Sequence, residues 1–342
     1  MQKKRPYRFC LWITLIAAVI AGCVILSTLG AIYWFGSEVM PEILATPTEI
    51  NTCEGLLDFM VENYESTGST REISPTSPQV LVVYPVNGDQ IGEPDFKTVS
   101  QELQSLQQET NSHHLIWAYF TQIIPTEQRE LLSEYRIITD GLQGEIAAQV
   151  EIGPQYTSEG DSDIWVLESE QWVLLVDLAD YSDNKLFTSI LLHEFGHLLT
   201  LNAHQVYYAV EDPANCSRFF ANPGCSMPGS YLLLFFERYW GDLYGEWQTI
   251  TSQDDASMVK SSLDTFYEAH QAEFLTRYAV TAPTEDIAEA WSLFVLSPKP
   301  DGDTIAEQKI LFFYNFPEFV QLRAEITRRI CEYFHLSSSL ER

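Results

Sequence analysis

The stretch LLHEFGHLL, residues 191 to 199, sets His193 and His197 four positions apart, with Glu194 directly after the first. On a helix, positions i and i+4 share a face, so both imidazoles can reach one metal ion. Glu194 lies about 100° further round the axis, beside such an ion rather than on it. There its carboxylate can take a proton from a metal-bound water, which is why the spacing HExxH recurs in zinc hydrolases. Gly196 leaves room on the helix for a close neighbour. The rival reading is a pair of hydrogen-bonded core histidines. In so apolar a helix, unpaired His and Glu would be costly to bury, and the metal reading is the one we take.

Two histidines do not complete a catalytic zinc site, which needs a third protein ligand and an open position. His204 is the nearest candidate. The metzincin pattern HExxHxxGxxH would need glycine at 200 and histidine at 203, where this chain has Thr200 and Ala203. His204 is therefore expected to hydrogen-bond nearby rather than to ligate. A better candidate lies in LTRYAVTAPTEDIAEAW, residues 275 to 291, where Pro283 and Thr284 open a helix. Glu285 and Glu289 stand at i and i+4 on it, backed by Ile287 and Ala288. Two carboxylates on one side of an otherwise apolar helix call for a cation or a histidine beside them. Asp286 reads as part of a solvated acidic first turn, favoured by the helix dipole.

The order Tyr278, Glu285, then Ala288-Glu289-Ala290, in the form Y-x6-E-x-x-A-E-A, resembles the segment that follows the HEFGH helix of anthrax-lethal-factor-like zinc peptidases. It also resembles predicted bacterial membrane-anchored metallopeptidases with a Y-A-x-T-x-P-x-E-D-x-A-E stretch. Both are gluzincins, in which two histidines and a glutamate hold zinc. The resemblance implies His193, His197 and Glu285 as ligands of Zn2+ and Glu194 as general base. It implies that Tyr278 donates to the oxyanion, and that Glu289 orients a ligand histidine from behind. It covers residues 184–201 and 274–296. The 87 residues between His197 and Glu285 exceed the toxin's spacing, so the toxin's substrate preference does not transfer.

The elements that must position these residues are legible in outline. Asp183 or Asn184 can cap the histidine helix, whose apolar residues include Leu186, Ile190, Leu191, Phe195, Leu198 and Leu199. Strand signals appear at VLVVYPV (80–86), YRIIT (135–139), EIAAQVEI (145–152), IWVLE (164–168) and WVLLVDL (172–178). Helical periodicity covers a short segment from Leu56 to Tyr64, the region from Phe96 to Phe120 with Leu103, Leu106, Leu115 and Ile116, and a short piece at 126–134. From Asn184 onward almost everything reads as helix. His113 and His114 are expected exposed or half-buried on the early helix, and His335 lies near the C-terminus. His270 is expected to pack or cap a helix. The fold class expected is α+β: a small sheet plus the histidine helix, followed by a mainly helical half, over residues 79–342. In the terms of the resemblance, this is a zincin-like metallopeptidase domain.

The chain has 48 acidic and 19 basic residues. Four of the basic ones, Lys3, Lys4, Arg5 and Arg8, precede an uncharged run of 27 residues from Phe9 to Phe35. Beyond that run the balance is 48 against 15, a surface that repels phosphate backbones, so no nucleic-acid partner is expected. The run would extend roughly 40 Å as a helix, enough to cross a ~30 Å hydrocarbon core with tilt. We expect a single-pass anchor with residues 1–8 cytoplasmic, residues 36–78 as a juxtamembrane linker with a short helix, and the remainder outside the cytoplasm. A cleaved signal peptide and lipoprotein processing at Cys23 (IAGC) are the rival readings. Of the six cysteines, Cys10 and Cys23 belong to the run. Cys216 and Cys225 bracket a Pro/Gly-rich loop and most simply close it, leaving Cys53 to pair with Cys331. The expected function is a membrane-anchored zinc endopeptidase acting on a peptide or protein substrate. An inactive zinc-binding scaffold that holds peptides, and an adhesion module with an accidental motif, are the alternatives.

Overall fold

Stretches rich in Val, Ile, Tyr and Trp build one sheet, and the more strongly apolar helices bury themselves beneath it. The computed structural model describes residues 52–64, 78–140, 147–153, 171–181, 184–210, 212–222 and 224–335. The run at 9–35, the linker residues to 51, the IWVLE segment and Asp183 lie outside the described residues. Among the described residues no helix is long and apolar enough to cross a membrane. Residues Asn51–Arg342 form one compact unit.

The strands are β1 (Gln79–Asn87), β2 (Gln90–Ile91), β3 (Asp95–Phe96), β4 (Leu132–Thr139), β5 (Ala148–Ile152) and β6 (Trp172–Asp177), with a separate ribbon of β7 (Val206–Tyr207) and β8 (Cys225–Ser226). The sheet order is β2-β1-β4-β6-β5, with β3 also paired to β1. β1 runs antiparallel to β4, β4 parallel to β6, and β5 antiparallel to β6, so β5 is an edge strand among the described residues. All six residues of β6 are buried, as expected of a strand with neighbours on both sides and cover on both faces.

Ten α-helices complete the described residues: α1 (Cys53–Glu62), α2 (Gln104–Gln108), α3 (Thr110–Ile123), α4 (Asn184–Leu201), α5 (Tyr231–Tyr239), α6 (Tyr244–Thr251), α7 (Ala256–Ala269), α8 (Pro283–Leu296), α9 (Ile305–Phe313) and α10 (Pro317–Tyr333). Ser230 and Asp255 cap α5 and α7 through their side chains, and Thr304 with Glu307 forms a capping box on α9. Proline opens both α8 and α10, where its missing N–H costs nothing. In α4 every residue from Phe187 to Leu198 is buried, and in α8 every residue from Asp286 to Leu296. Helices apolar all round belong in the centre, and these two form the core. Each large apolar side chain hidden there contributes about 1.5–3 kcal/mol relative to exposure.

The mixed α+β class matches the expectation, and four local readings need correction. Phe96 lies in a strand, paired with Val82, and the helical region breaks at Glu109 into α2 and α3. The buried Gln107 side chain donates to the carbonyls of Leu81 and Lys97, which clamps that break. Leu115, expected on an apolar face, is 64% exposed. Residues 126–134 form one 3-10 turn, Thr126–Gln128, before β4 begins at Leu132. Here Arg129 anchors the loop by donating to the carbonyls of Ile124 and Gly88, and pairing with both β1 and β6 outweighs local helix propensity. The β7–β8 ribbon was not expected; two-residue strands are too short to leave a periodicity.

Both disulfides are present, Cys216–Cys225 across a separation of 9 residues and Cys53–Cys331 across 278. The second fastens α1 to α10. Because it closes so long a loop, replacing both Cys53 and Cys331 by serine is expected to destabilise the fold by up to about 5–6 kcal/mol in the chain-entropy account. Thermal unfolding with and without reductant checks this; an unchanged Tm would remove the bond from the list of structural supports.

Candidate metal centre

α4 and α8 approach each other at Gly196. A Cβ there would stand 3.1 Å from Ala288 Cα and 3.1 Å from Trp291 Cδ1, so only glycine allows this spacing without displacement. Ser292 extends the same contact by donating to the Ser189 carbonyl at 3.4 Å. Close packing at this point carries Glu285, one helical turn before Ala288, to the two histidines. Glu285 Oε2 lies 2.9 Å from His193 Nε2 and 3.3 Å from His197 Nε2, and the two nitrogens are 3.1 Å apart.

Two imidazole nitrogens and a carboxylate oxygen this close together need a proton or a metal cation between them. In tetrahedral zinc sites with bonds of 2.0–2.1 Å, neighbouring ligand atoms stand about 3.3 Å apart, so the observed triangle is close to that size and chemistry. His193, His197 and Glu285 form a group able to hold a metal ion. The histidine side chains are 3% and 10% exposed and that of Glu285 21%, so the triangle is largely buried, with Glu285 its most exposed member. A catalytic zinc site would need one further position for water or substrate.

Behind His193, Glu289 Oε1 lies 2.8 Å from Nδ1. Its other oxygen accepts from Thr276 Oγ1 at 2.8 Å, and Thr276 in turn accepts from the Ala279 amide at 3.1 Å. Burial works against a charge on His193, but the Glu285 and Glu289 carboxylates outweigh it and lift its pKa to about 9. Burial would raise the Glu285 carboxyl; the charge of His197 and hydrogen bonds from both imidazoles hold it well below the ordinary range. Tyr278 opens a 3-10 turn, Tyr278–Thr281, and its ring lies 5.6 Å from that of His193 at 54°.

Glu194 reaches the sheet: its Oε2 accepts from the Val150 amide of β5 at 2.9 Å. The strand register explains why that amide is available. Gly153 N–H bonds to the Gln171 carbonyl and Asp177 N–H to that of Ala147, so the odd-numbered residues of β5 bond to β6. Ala148, Val150 and Ile152 therefore direct their backbone groups away from β6, alongside the histidine helix.

The remaining candidates fall outside this cluster. His204 is exposed and is not among the grouped ligands, and His270 bonds to Glu273 at the end of α7. His113, expected exposed or half-buried, is fully buried: Nε2–H donates to the Leu106 carbonyl and Nδ1 accepts from Tyr84, which satisfies both ring nitrogens. Asp140, Asp177 and Asp180 also cluster, with Asp177 accepting from the amides of Asp140 and Ala179. Asp286 is not a solvated first-turn residue. Both it and Lys309 are 0% exposed, 2.6 Å apart, with Trp240 Nε1 donating to the same carboxylate oxygen and Phe274 stacked under the ammonium. Burial pushes the Asp286 carboxyl up and the Lys309 ammonium down, each opposed by its partner. A lone lysine in KILFFYNF was the only trace of this pair in the sequence, and Thr276 left none. Comparison with protein-family models, with curated proteins and with solved structures gave no match.

Two outcomes follow. In the metal-free protein the raised His193 pKa adds stability that is complete below its ordinary value of 6.5 and is lost as pH rises through about 9. The lowered Glu285 pKa adds stability present above the ordinary value of 4.5 and lost as pH falls through its folded value. A metal must displace the His193 proton, so metal binding at neutral pH is expected to release protons and to tighten with pH up to about 9. Calorimetry in buffers of different ionisation enthalpy measures that release, and its absence would contradict the arrangement. Second, Lys309→Met strands a buried carboxylate and is expected to cost about 3–5 kcal/mol, while Asp286→Asn with Lys309→Met recovers most of it. Urea unfolding of the single and double variants checks the pair.

Proposed function

We infer that this chain is a zinc-dependent endopeptidase of the gluzincin kind, built on a zincin-like domain. The observation that carries the reading is the meeting of His193, His197 and Glu285, drawn from two segments 87 residues apart, within 3.3 Å of one another. Zinc bound by these residues would act as a Lewis acid and bring the pKa of a coordinated water toward ~7. Glu194, adjacent in sequence to His193 and tethered to the β5 edge, is the base that takes a proton from the attacking water and returns it to the leaving amine. Tyr278, packed beside His193, is the donor to the oxyanion developing on the scissile carbonyl. Glu289 accepts from His193 Nδ1 and so keeps Nε2 as the ligating atom. Among the described residues, the backbone groups of Ala148 and Ile152 and the Val150 carbonyl face away from β6 and suit an extended peptide, which pairs with an edge strand through main-chain hydrogen bonds; the Val150 amide is held by Glu194.

Two disulfides agree with an oxidising compartment, which supports placing residues 53–335 outside the cytoplasm, behind an anchor at 9–35. The net charge of −29 is the reason no nucleic-acid partner is proposed.

The test uses purified full-length protein. Metal analysis is expected to find one zinc per chain, and peptide-library digestion to find cleavage. Glu194→Gln is expected to keep the zinc and lower kcat by at least 100-fold. Zinc binding without cleavage by the wild type would favour a peptide-binding scaffold, and no zinc at all would end the metalloprotein reading.

A further inference from the structure

Thr276 occupies a position that the chemistry assigned above does not use. Its side chain is 3% exposed, and every hydrogen-bond direction around it is set. The Ala279 amide can only donate and the Glu289 carboxylate can only accept, so the single hydroxyl proton of Thr276 points at Glu289 Oε2. Glu289 Oε1 faces His193 Nδ1. The result is a directed chain from the Ala279 amide, through the Thr276 hydroxyl and Glu289, to the imidazole.

The two ends of that chain flank Tyr278. Thr276 lies two residues before it and Ala279 one residue after, and the segment between them carries the Tyr278 ring against His193. On the reading of the previous subsection, we propose that Thr276 is a positioning residue that fastens the Tyr278 turn to the Glu289–His193 pair, so that the oxyanion donor and the metal-binding imidazole hold a fixed relation. Without the hydroxyl, Glu289 loses one of the groups that aim it, and the turn loses its hydrogen-bonded tie to Glu289 on α8. Partners of this kind change metal affinity by 10–100-fold in other sites.

The experiment compares full-length wild type, Thr276→Val and Thr276→Ser, with Thr276→Ala in place of valine should valine unfold the chain. Zinc affinity is read by chelator competition, the ligand field by the visible spectrum of the Co2+-substituted protein, and kcat and KM on a cleaved peptide. The valine or alanine variant is expected to bind zinc about 10–100-fold more weakly, to shift the Co2+ spectrum and to lower kcat more than it raises KM. Serine is expected to restore all three. In a double-mutant cycle, Thr276→Val and Tyr278→Phe should be non-additive in kcat, since both act on one donor. The proposal is overturned if valine and alanine lower only the Tm, with zinc affinity and Co2+ spectrum as in wild type, or if serine fails to rescue. A wild type that binds zinc yet cuts nothing defeats the peptidase reading alone, because affinity and spectrum still decide the role of Thr276.

Discussion

The contact between Gly196 and Ala288 sets the distance between the two most deeply buried helices of the molecule. Everything in the metal centre depends on it. The histidines occupy successive turns of α4 around that glycine, and Glu285 and Glu289 lie on α8 either side of Ala288. A side chain of even one carbon at 196 would press on backbone and on the Trp291 ring, neither of which yields cheaply. Trp291 is itself enclosed by Phe195, Phe294, Phe313 and Phe319, so the aromatic core holds α8 in place from the far side.

Around that contact the structure distributes charge in two ways. On the face toward α4, two glutamates converge on the imidazoles and form the candidate metal centre. About 100° further round the same first turn, Asp286 is buried with Lys309 and Trp240. Neighbouring carboxylates one residue apart thus serve unlike ends, one gripping a cation site and the other bracing the helix that presents it. A buried ion pair is a poor source of net stability, because desolvation offsets most of the attraction. It does fix orientation: rotation of α8 would separate the pair.

Much of this was legible in the residues. Strong signals survived translation into structure: the i, i+4 histidines, the paired glutamates after Pro283, the strand signals at 80–86 and 172–178, and the even cysteine count. What failed did so for identifiable physical reasons. Periodicity ran Phe96 through to Phe120 as one helix because it cannot register a buried glutamine bonding to a distant strand. Asp286 was placed in solvent since its counter-ion lies more than twenty residues away in sequence. Val150 became relevant to Glu194 only through the parity of an antiparallel ladder, which no composition encodes. Thr276 resembled any other threonine until its hydrogen-bond directions could be followed.

The Cys53–Cys331 bond joins the first described helix to the last. Topologically, the polypeptide between them is a closed ring. A single backbone nick in any surface loop within that ring severs the main chain without liberating a fragment, since both pieces stay covalently linked through sulfur. That ring lets the domain survive an isolated cut without losing either piece.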